Sequence, residues 1–291
     1  MSNTRDRLIA HLRALVGERH PISSPRKLLE TEAYLHRYLT NAGCEVTLHS
    51  FEAWGKTFRN VVGVRHPARD EGRSRPPLII AAHYDTVSGS PGADDNASAL
   101  AVLLEAAGRL QPAGLRRPVH CIGFCLEEED LLGSRAYVAS LKEAGKSILG
   151  AIVLECVGYA RSEPGSQRTP PRLPIAIPSV GDFLGVIGNE ASRDLVAAIM
   201  SCGRVTVPSL KMIPLTVPGR GELLPDTRRS DHAAFWDQGF PAVMLTDTAD
   251  FRNPHYHRPS DTIETLNLDF MSQVVDGVAS AVIELAGRPP S

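Results

Sequence analysis

Two histidines and a set of carboxylates stand in this chain where apolar runs end. His83 and Asp85 follow the run Leu78 to Ala82, two residues apart and so on one side of an extended chain. Asp94 and Asp95 come after a turn-rich stretch containing Gly89 and Gly92, just before the apolar run Ala99 to Leu104. Glu127 and Glu128 directly follow Pro118 to Leu126, Glu155 lies in the apolar segment Ile148 to Val157, and His257 lies in the loop 248–262. A carboxylate delivered by a buried strand is costly unless it is paired or bound to a metal. Two imidazoles with three carboxylates form a donor set suited to zinc, or to manganese or cobalt in its place.

Such side chains need a scaffold that gathers strand ends. Leu78 to Ala82 is an unbroken apolar run after Pro76-Pro77, the pattern of a strand buried on both faces. Asp94, Asp95 and Asn96 sit where a helix N-cap belongs, with Asp94 read as the cap and Asp95 as the ligand. Asn3 or Thr4 can cap a helix to about Gly17, and Ser24-Pro25 opens a second to about Asn41. Cys44 to Phe51 and Phe58 to His66 read as two strands joined by a turn. Further strands are expected at 118–126, 148–157 and 241–246, and helices at about 133–144 and 268–286. This alternation places the chain in the α/β class, with a mixed, mostly parallel central sheet and helices on both faces. In such sheets ligands bind at the carboxyl ends of the strands. Nine prolines crowd Tyr159 to Arg229. That stretch reads as an excursion from the sheet covering one side of a pocket, broken by a strand at 183–187 and a helix at 192–202. A single domain over 1–291 with this excursion at about 159–229 is expected.

Composition narrows the partners. A net charge of −2 sets up no global field for nucleic acid or an anionic membrane. Aromatic residues at 5% offer few stacking platforms for bases. The five cysteines are scattered, and Cys121 and Cys125 would lie roughly 13 Å apart on one strand, too far for a disulfide. Reduced thiols, an N-terminus without an apolar signal core and the lack of an 18-residue apolar run lead to the expectation of a cytoplasmic protein with neither nucleic acid nor membrane as partner.

Taken together, the motifs resemble a known family. His83-Tyr-Asp85-Thr, Pro91-Gly-Ala-Asp-Asp95-Asn-Ala-Ser98 and Glu127-Glu128 with a following Leu-Leu-Gly-Ser134 occur in order. Ser230-Asp-His232, Pro254-His-Tyr-His257 and Ser260-Asp261-Thr262 follow them. The set resembles the co-catalytic zinc exopeptidases of the MH clan, of the bacterial leucyl aminopeptidase type, to which glutamate carboxypeptidase II and glutaminyl cyclase are related. The resemblance covers roughly Leu78 to Glu284 apart from the Pro-rich stretch. It implies a zinc exopeptidase-like three-layer sandwich holding two zinc ions. Asp95 would bridge them, with His83 and Glu155 on one and Glu128 and His257 on the other. It further implies Glu127 as general base towards a metal-bridging water, and Asp85 as the partner that hydrogen-bonds the far nitrogen of His83.

The implied activity is that of a metal-dependent aminopeptidase acting on a peptide or aminoacyl substrate with a free N-terminus. Alternatives are glutaminyl-cyclase-like acyl transfer on one zinc ion, hydrolysis of another amide, and a carboxypeptidase using Arg220, Arg228, Arg229 or Arg252. A non-catalytic binding module of the same fold is the reading from a different class. Three positions depart from the family pattern: Glu155 stands for Asp, Asp130 for Gly and Ala99 for Gly.

Each residue also has a plainer use. His83 with Asp85 could be a core histidine bonded to aspartate, Glu127 to Asp130 a solvated helix start, and Glu155 a buried ion-pair partner. Asp231 and His232 read as orienting a loop or capping the helix they begin, with lining the pocket as the alternative. Asp261 reads as a turn residue or outer partner, His255 as no ligand, and Cys156 as core. Glu127 and Glu128 are consecutive, so the chain must bend there for both to serve one site.

Overall fold

The apolar runs that end in donor residues form the middle of an eight-stranded sheet. The structure, a computed structural model, describes residues 3–110 and 114–287. The first two and last four residues of the expected domain, and 111–113, lie outside the described residues. In chain order come α1 (Thr4–Leu15), α2 (Pro25–Asn41), β1 (Glu45–Ala53), β2 (Lys56–Arg65), β3 (Leu78–His83), α3 (Ala99–Arg109) and β4 (Val119–Phe124). They are followed by α4 (Leu132–Glu143), β5 (Gly150–Glu155), β6 (Phe183–Asn189), α5 (Arg193–Thr206), β7 (Lys211–Val217), α6 (His232–Asp237), β8 (Ala242–Thr246) and α7 (Leu268–Gly287). The strand order is β1-β2-β4-β3-β5-β8-β6-β7. The central strands β4, β3, β5 and β8 run parallel, whereas β2 joins β4 and β6 joins β8 antiparallel. The expected mixed, mostly parallel sheet is present.

Alternate residues of β3 feed two cores. Leu78, Ile80 and Ala82 pack towards α1, α2, α3, α5 and α7, while Ile79 and Ala81 face the smaller core under α4 and α6. That double burial explains why β3 reads as a continuous apolar run. Central α3 is buried along almost its whole length. Its one carboxylate, Glu105, accepts from Arg7 Nε at 2.8 Å and lies 3.3 Å from His11 Nε2, which offsets the cost of burying it. α7 is long and apolar enough by composition to cross a membrane, but it packs against α3 and α5 as a core helix.

Two sequence expectations fail here. Residues 159–229 do not form an excursion from the sheet: β6 lies inside it between β8 and β7, and α5 packs on α7. Irregular backbone is confined to about 156–182, the turn at 207–210 and 218–231. Proline content misleads because Pro214 falls in β7, an edge strand, where proline is tolerated. Nor is Asp94 a helix cap. Ala93–Ser98 forms a kinked helical turn with non-helical backbone at Asp95 and Asn96, and the Asp95–Asn96 peptide bond is cis. Asp94 instead turns its carboxylate to the Gly158 amide (2.9 Å) and Asn253 Nδ2 (2.7 Å).

Candidate metal centre and active site

The carboxyl ends of three neighbouring strands meet at one edge. His83 is the last residue of β3, Glu155 the last of β5, and Glu127-Glu128 follow β4 by two residues. Asp95 enters from the kinked turn before α3, and His257 from the loop after β8. His83 Nε2 lies 3.1 Å from Asp95 Oδ1 and 3.5 Å from Glu155 Oε2. His257 Nε2 lies 2.9 Å from Asp95 Oδ2 and 3.2 Å from Glu128 Oε2. Asp95 therefore offers one oxygen to each histidine. The result is two donor sets, His83/Asp95/Glu155 and Asp95/Glu128/His257, each with its donor atoms within 4.8 Å of one another.

These sets fit a divalent cation. Among the described residues, the buried His83 Nε2 and Asp95 Oδ1 have no hydrogen-bond partner, a costly condition that a shared cation relieves. Imidazole and carboxylate are donors that zinc accepts. The electrostatics point the same way. Burial disfavours a charged His83, yet Glu127, Glu155, Asp85 and Asp95 together raise its pKa well above the usual value. His257 also overcomes burial and, through Asp95 and Glu128, rises to about 10. Burial, reinforced by the Asp95 charge, lifts Glu128 to about 7. Asp95 resists the same burial and is held low by the neighbouring His257 and His83 imidazoles. Concentrated carboxylates thus draw positive charge into the site. Glu127 belongs to neither donor set; its Oε2 lies 3.8 Å from His83 Nε2. Burial, aided by Glu155, Glu128 and Asp231 against the pull of His83, raises its pKa well above the carboxylate norm.

The chain does bend at the glutamate pair. Leu126, Asp130 and Leu131 take φ of 61°, 64° and 60°, a left-handed backbone that favours glycine. That accounts for Gly as the family residue at 130. Aspartate tolerates the conformation better than most residues, and Asp130 also pairs with Arg135 at 2.8 Å. Asp85 holds the bend, accepting the Glu127 and Glu128 amides at 3.1 Å each. Its expected contact with His83 is long: Oδ1 sits 3.5 Å from Nδ1, which has no hydrogen-bond partner among the described residues.

Neighbouring groups sort out around this frame. Ser230 Oγ donates to Glu155 Oε2 at 2.7 Å, and Asn96 Nδ2 does so at 3.3 Å. Sequence spacing singles out neither, since only their motifs gave a signal. Cys156 is buried as expected, but its thiol lies 3.4 Å from Glu155 Oε1. His232 faces the Thr227 carbonyl at 2.7 Å, and burial pushes it down to about 4, so it orients a loop in its neutral form. Asp231 was expected to do the same or to cap α6. Its carboxylate instead has no hydrogen-bond partner among the described residues. Asp261 accepts from the Asp94 amide at 2.9 Å and the Asp95 amide at 3.2 Å. His255 bonds Ser260 and joins neither donor set.

An apolar cavity opens beside Glu155. Leu173, Ile187, Leu215, Met244 and Phe251 line it, with Tyr256 and Arg229 near the donors. Tyr256, which spacing did not reveal, stacks on the His257 ring at 3.8 Å and 15°.

Residues 60–282 match the sequence profile of peptidase family M28. The chain belongs to that family. The M28 chain is 36% identical to YfbL of Escherichia coli K12, an uncharacterised protein, over 92% of its own length and 84% of that protein. It is 29% identical to leucine aminopeptidase 1 of Arthroderma otae over 74% of its length, and spans 56% of that relative. Among solved structures, the zinc aminopeptidase BSAP of Bacillus subtilis is 25% identical with a TM-score of 0.62, over 81% of this chain and 52% of that one. Two more distant structures share the fold. The Legionella pneumophila LapA aminopeptidase is 20% identical with a TM-score of 0.75, over 99% of this chain and 71% of that one. Porphyromonas gingivalis glutaminyl cyclase is 19% identical with a TM-score of 0.69, over 97% and 96%.

Proposed function

We propose that this M28 chain is a two-metal aminopeptidase, hydrolysing the N-terminal peptide bond of substrates with an apolar first side chain. The carrying observation is the shared Asp95 between two donor sets, with Glu127 beside them but outside both. His83, Asp95 and Glu155 would hold one zinc ion, and Asp95, Glu128 and His257 the other. Bound there, the pair supplies Lewis acidity to a substrate carbonyl and lowers the pKa of water.

The protein's own residues do the rest. Glu127 takes the proton from the attacking water on Oε2 and returns it to the leaving amine as the C–N bond breaks. Burial raises its proton affinity, which favours taking up that proton. Asp85 fixes the bend that separates Glu127 from Glu128, and Ser230 orients Glu155. The apolar cavity takes the first side chain, while the surrounding carboxylates favour a free ammonium over a blocked N-terminus.

The carboxypeptidase reading lacks an unengaged cation at the site among the described residues. Arg229 is paired with Asp250 at 2.8 Å, Arg228 with Asp237 at 2.8 Å, and buried Arg252 donates to Gln167 at 2.8 Å. Arg220 is exposed. A cyclase needs only one donor set, and a binding module needs neither. We also propose a reducing, cytoplasmic setting, supported by the scattered spacing of the five cysteines and open to test by cell fractionation.

The deciding experiment loads the protein with zinc, manganese or cobalt and compares aminoacyl amides with N-blocked amides and free-carboxylate peptides. Two ions per chain by native mass spectrometry and turnover of free amino termini are expected. One ion with cyclisation of N-terminal glutamine, or turnover of blocked substrates alone, would overturn the reading.

A further inference from the structure

Arg19, in the loop after α1, has a fully buried guanidinium whose hydrogen bonds, among the described residues, all go to backbone carbonyls. Nε donates to the Tyr84 carbonyl at 2.8 Å, and Nη2 to Gly92 at 2.9 Å. Nη1 serves Leu15 and Gly17 at 2.9 Å and Pro91 at 3.0 Å. Its own amide donates to Thr86 Oγ1 at 2.9 Å.

The acceptors are not scattered over the fold. Tyr84 lies between His83 and Asp85, and Pro91 and Gly92 lead into Asp94 and Asp95. These two segments carry the imidazole and the shared carboxylate of the site. A planar fork with fixed donor directions can hold both at a set separation.

We infer that Arg19 is a positioning residue for the metal centre, clamping the His83–Asp85 segment to the turn that presents Asp95. The inference rests on the two-metal reading above for what the clamp is for, but not for the clamp itself. Gly92 shows how tight the junction is. It has φ 59°, and a Cβ there would meet the Asp95 carbonyl oxygen at 2.3 Å and Arg19 Nη2 at 2.7 Å. Among the described residues, no carboxylate forms an ion pair with the guanidinium. Burial lowers its pKa to about 10, while Asp95, Asp85, Asp261 and Glu128 favour its charge from further off. A lysine would keep that charge and lose the fork, so the two contributions can be separated.

The test uses Arg19→Lys and Arg19→Met in the full chain, with Gly92→Ala as an independent way to wedge the same junction. Leu8→Ala, in the buried face of α1, serves as the control for general destabilisation. Hydrogen exchange on the metal-free proteins should show lost protection confined to about residues 84–96 for all three junction variants. Zinc affinity, measured by chelator competition, should fall about 10–100-fold for each, as expected when the support of a ligand is removed. Leu8→Ala should lower the melting temperature without that loss. Equal zinc weakening in Leu8→Ala, unchanged zinc affinity in a folded Arg19→Lys, or exchange spread evenly over α1 to α3 would overturn the inference. If the Arg19 variants do not fold, Gly92→Ala is judged by the same readouts. A wild type that binds no zinc sinks the proposed function, and the exchange pattern then decides the clamp alone.

Discussion

The two donor sets share Asp95 yet are built from different material. His83 and Glu155 end adjacent strands of the central sheet, with side chains 0% and 7% exposed. His257 hangs from a loop, with a side chain 36% exposed and φ of 58°. One set is part of the core; the other is half core and half rim. A donor at a strand end is held by the sheet's own hydrogen bonds, whereas a loop histidine is held by its side-chain neighbours alone. The strand-built set should therefore bind first and release last.

Removing what the sets share is the largest test. Asp95→Ala should abolish binding at both and bring turnover to background, because each loses a donor and the paired cations lose their bridging charge. Native mass spectrometry that still found one ion would show that the sets are independent. Next comes the residue outside both. Glu127→Gln keeps size but loses the basic oxygen, so turnover of an aminoacyl amide should drop about 10²–10⁴-fold with metal content unchanged. Glu128→Gln should instead weaken the rim set. If the two variants exchange behaviours, the roles at the bend are reversed.

A smaller effect probes the asymmetry itself. His257→Ala should lose one ion and keep the strand-built site, whereas His83→Ala should impair both by releasing Asp95. In the wild type, stepwise chelation should then remove ions in two separated stages. A single-stage loss, or His257→Ala being as poor as His83→Ala, would make the sets equivalent after all.

That asymmetry also divides what could be read without a structure. The donors at strand ends were legible because burial on both faces leaves an apolar signature that stops at the site, as at Leu78 to His83 and at Glu155. Loop-borne His257 was legible only as one member of a motif series, since a loop carries no periodicity. Arg19 left no local trace: its role depends on carbonyls of residues 84 and 91–92, brought close by the packing of α1. The strand β6 was read at 183–187 but not as part of the sheet, and β7 was hidden by its proline, although edge position makes Pro214 acceptable. Asp94 misled for a related reason. An acid before a helix is a cap by local rules, but Asp261 arrives from across the fold to take the local amides and frees Asp94 to bind Gly158 and Asn253.

The smallest expected effect concerns the rim alone, and it separates aminopeptidase from carboxypeptidase. Arg229 lies beside the cavity, with its guanidinium over the Tyr256 ring at 5.6 Å and paired with Asp250 at 2.8 Å. Both partners are about two-fifths exposed, and an ion pair of that kind is worth only about 0–1 kcal/mol. If the substrate enters by its amino end, Arg229 has no anion to hold and serves only to pack against Tyr256. Arg229→Met retains much of that apolar contact. It should therefore change kcat/KM for aminoacyl amides by no more than a few-fold, with the melting temperature little altered. If the substrate enters by its carboxyl end, Asp250 is a placeholder for the terminal carboxylate. The same change would then remove a charge-assisted bond worth about 1.5–3 kcal/mol, roughly a 10- to 150-fold loss, confined to peptides with a free C-terminus. Assaying both substrate types on the one variant decides between a packing residue and an anchor.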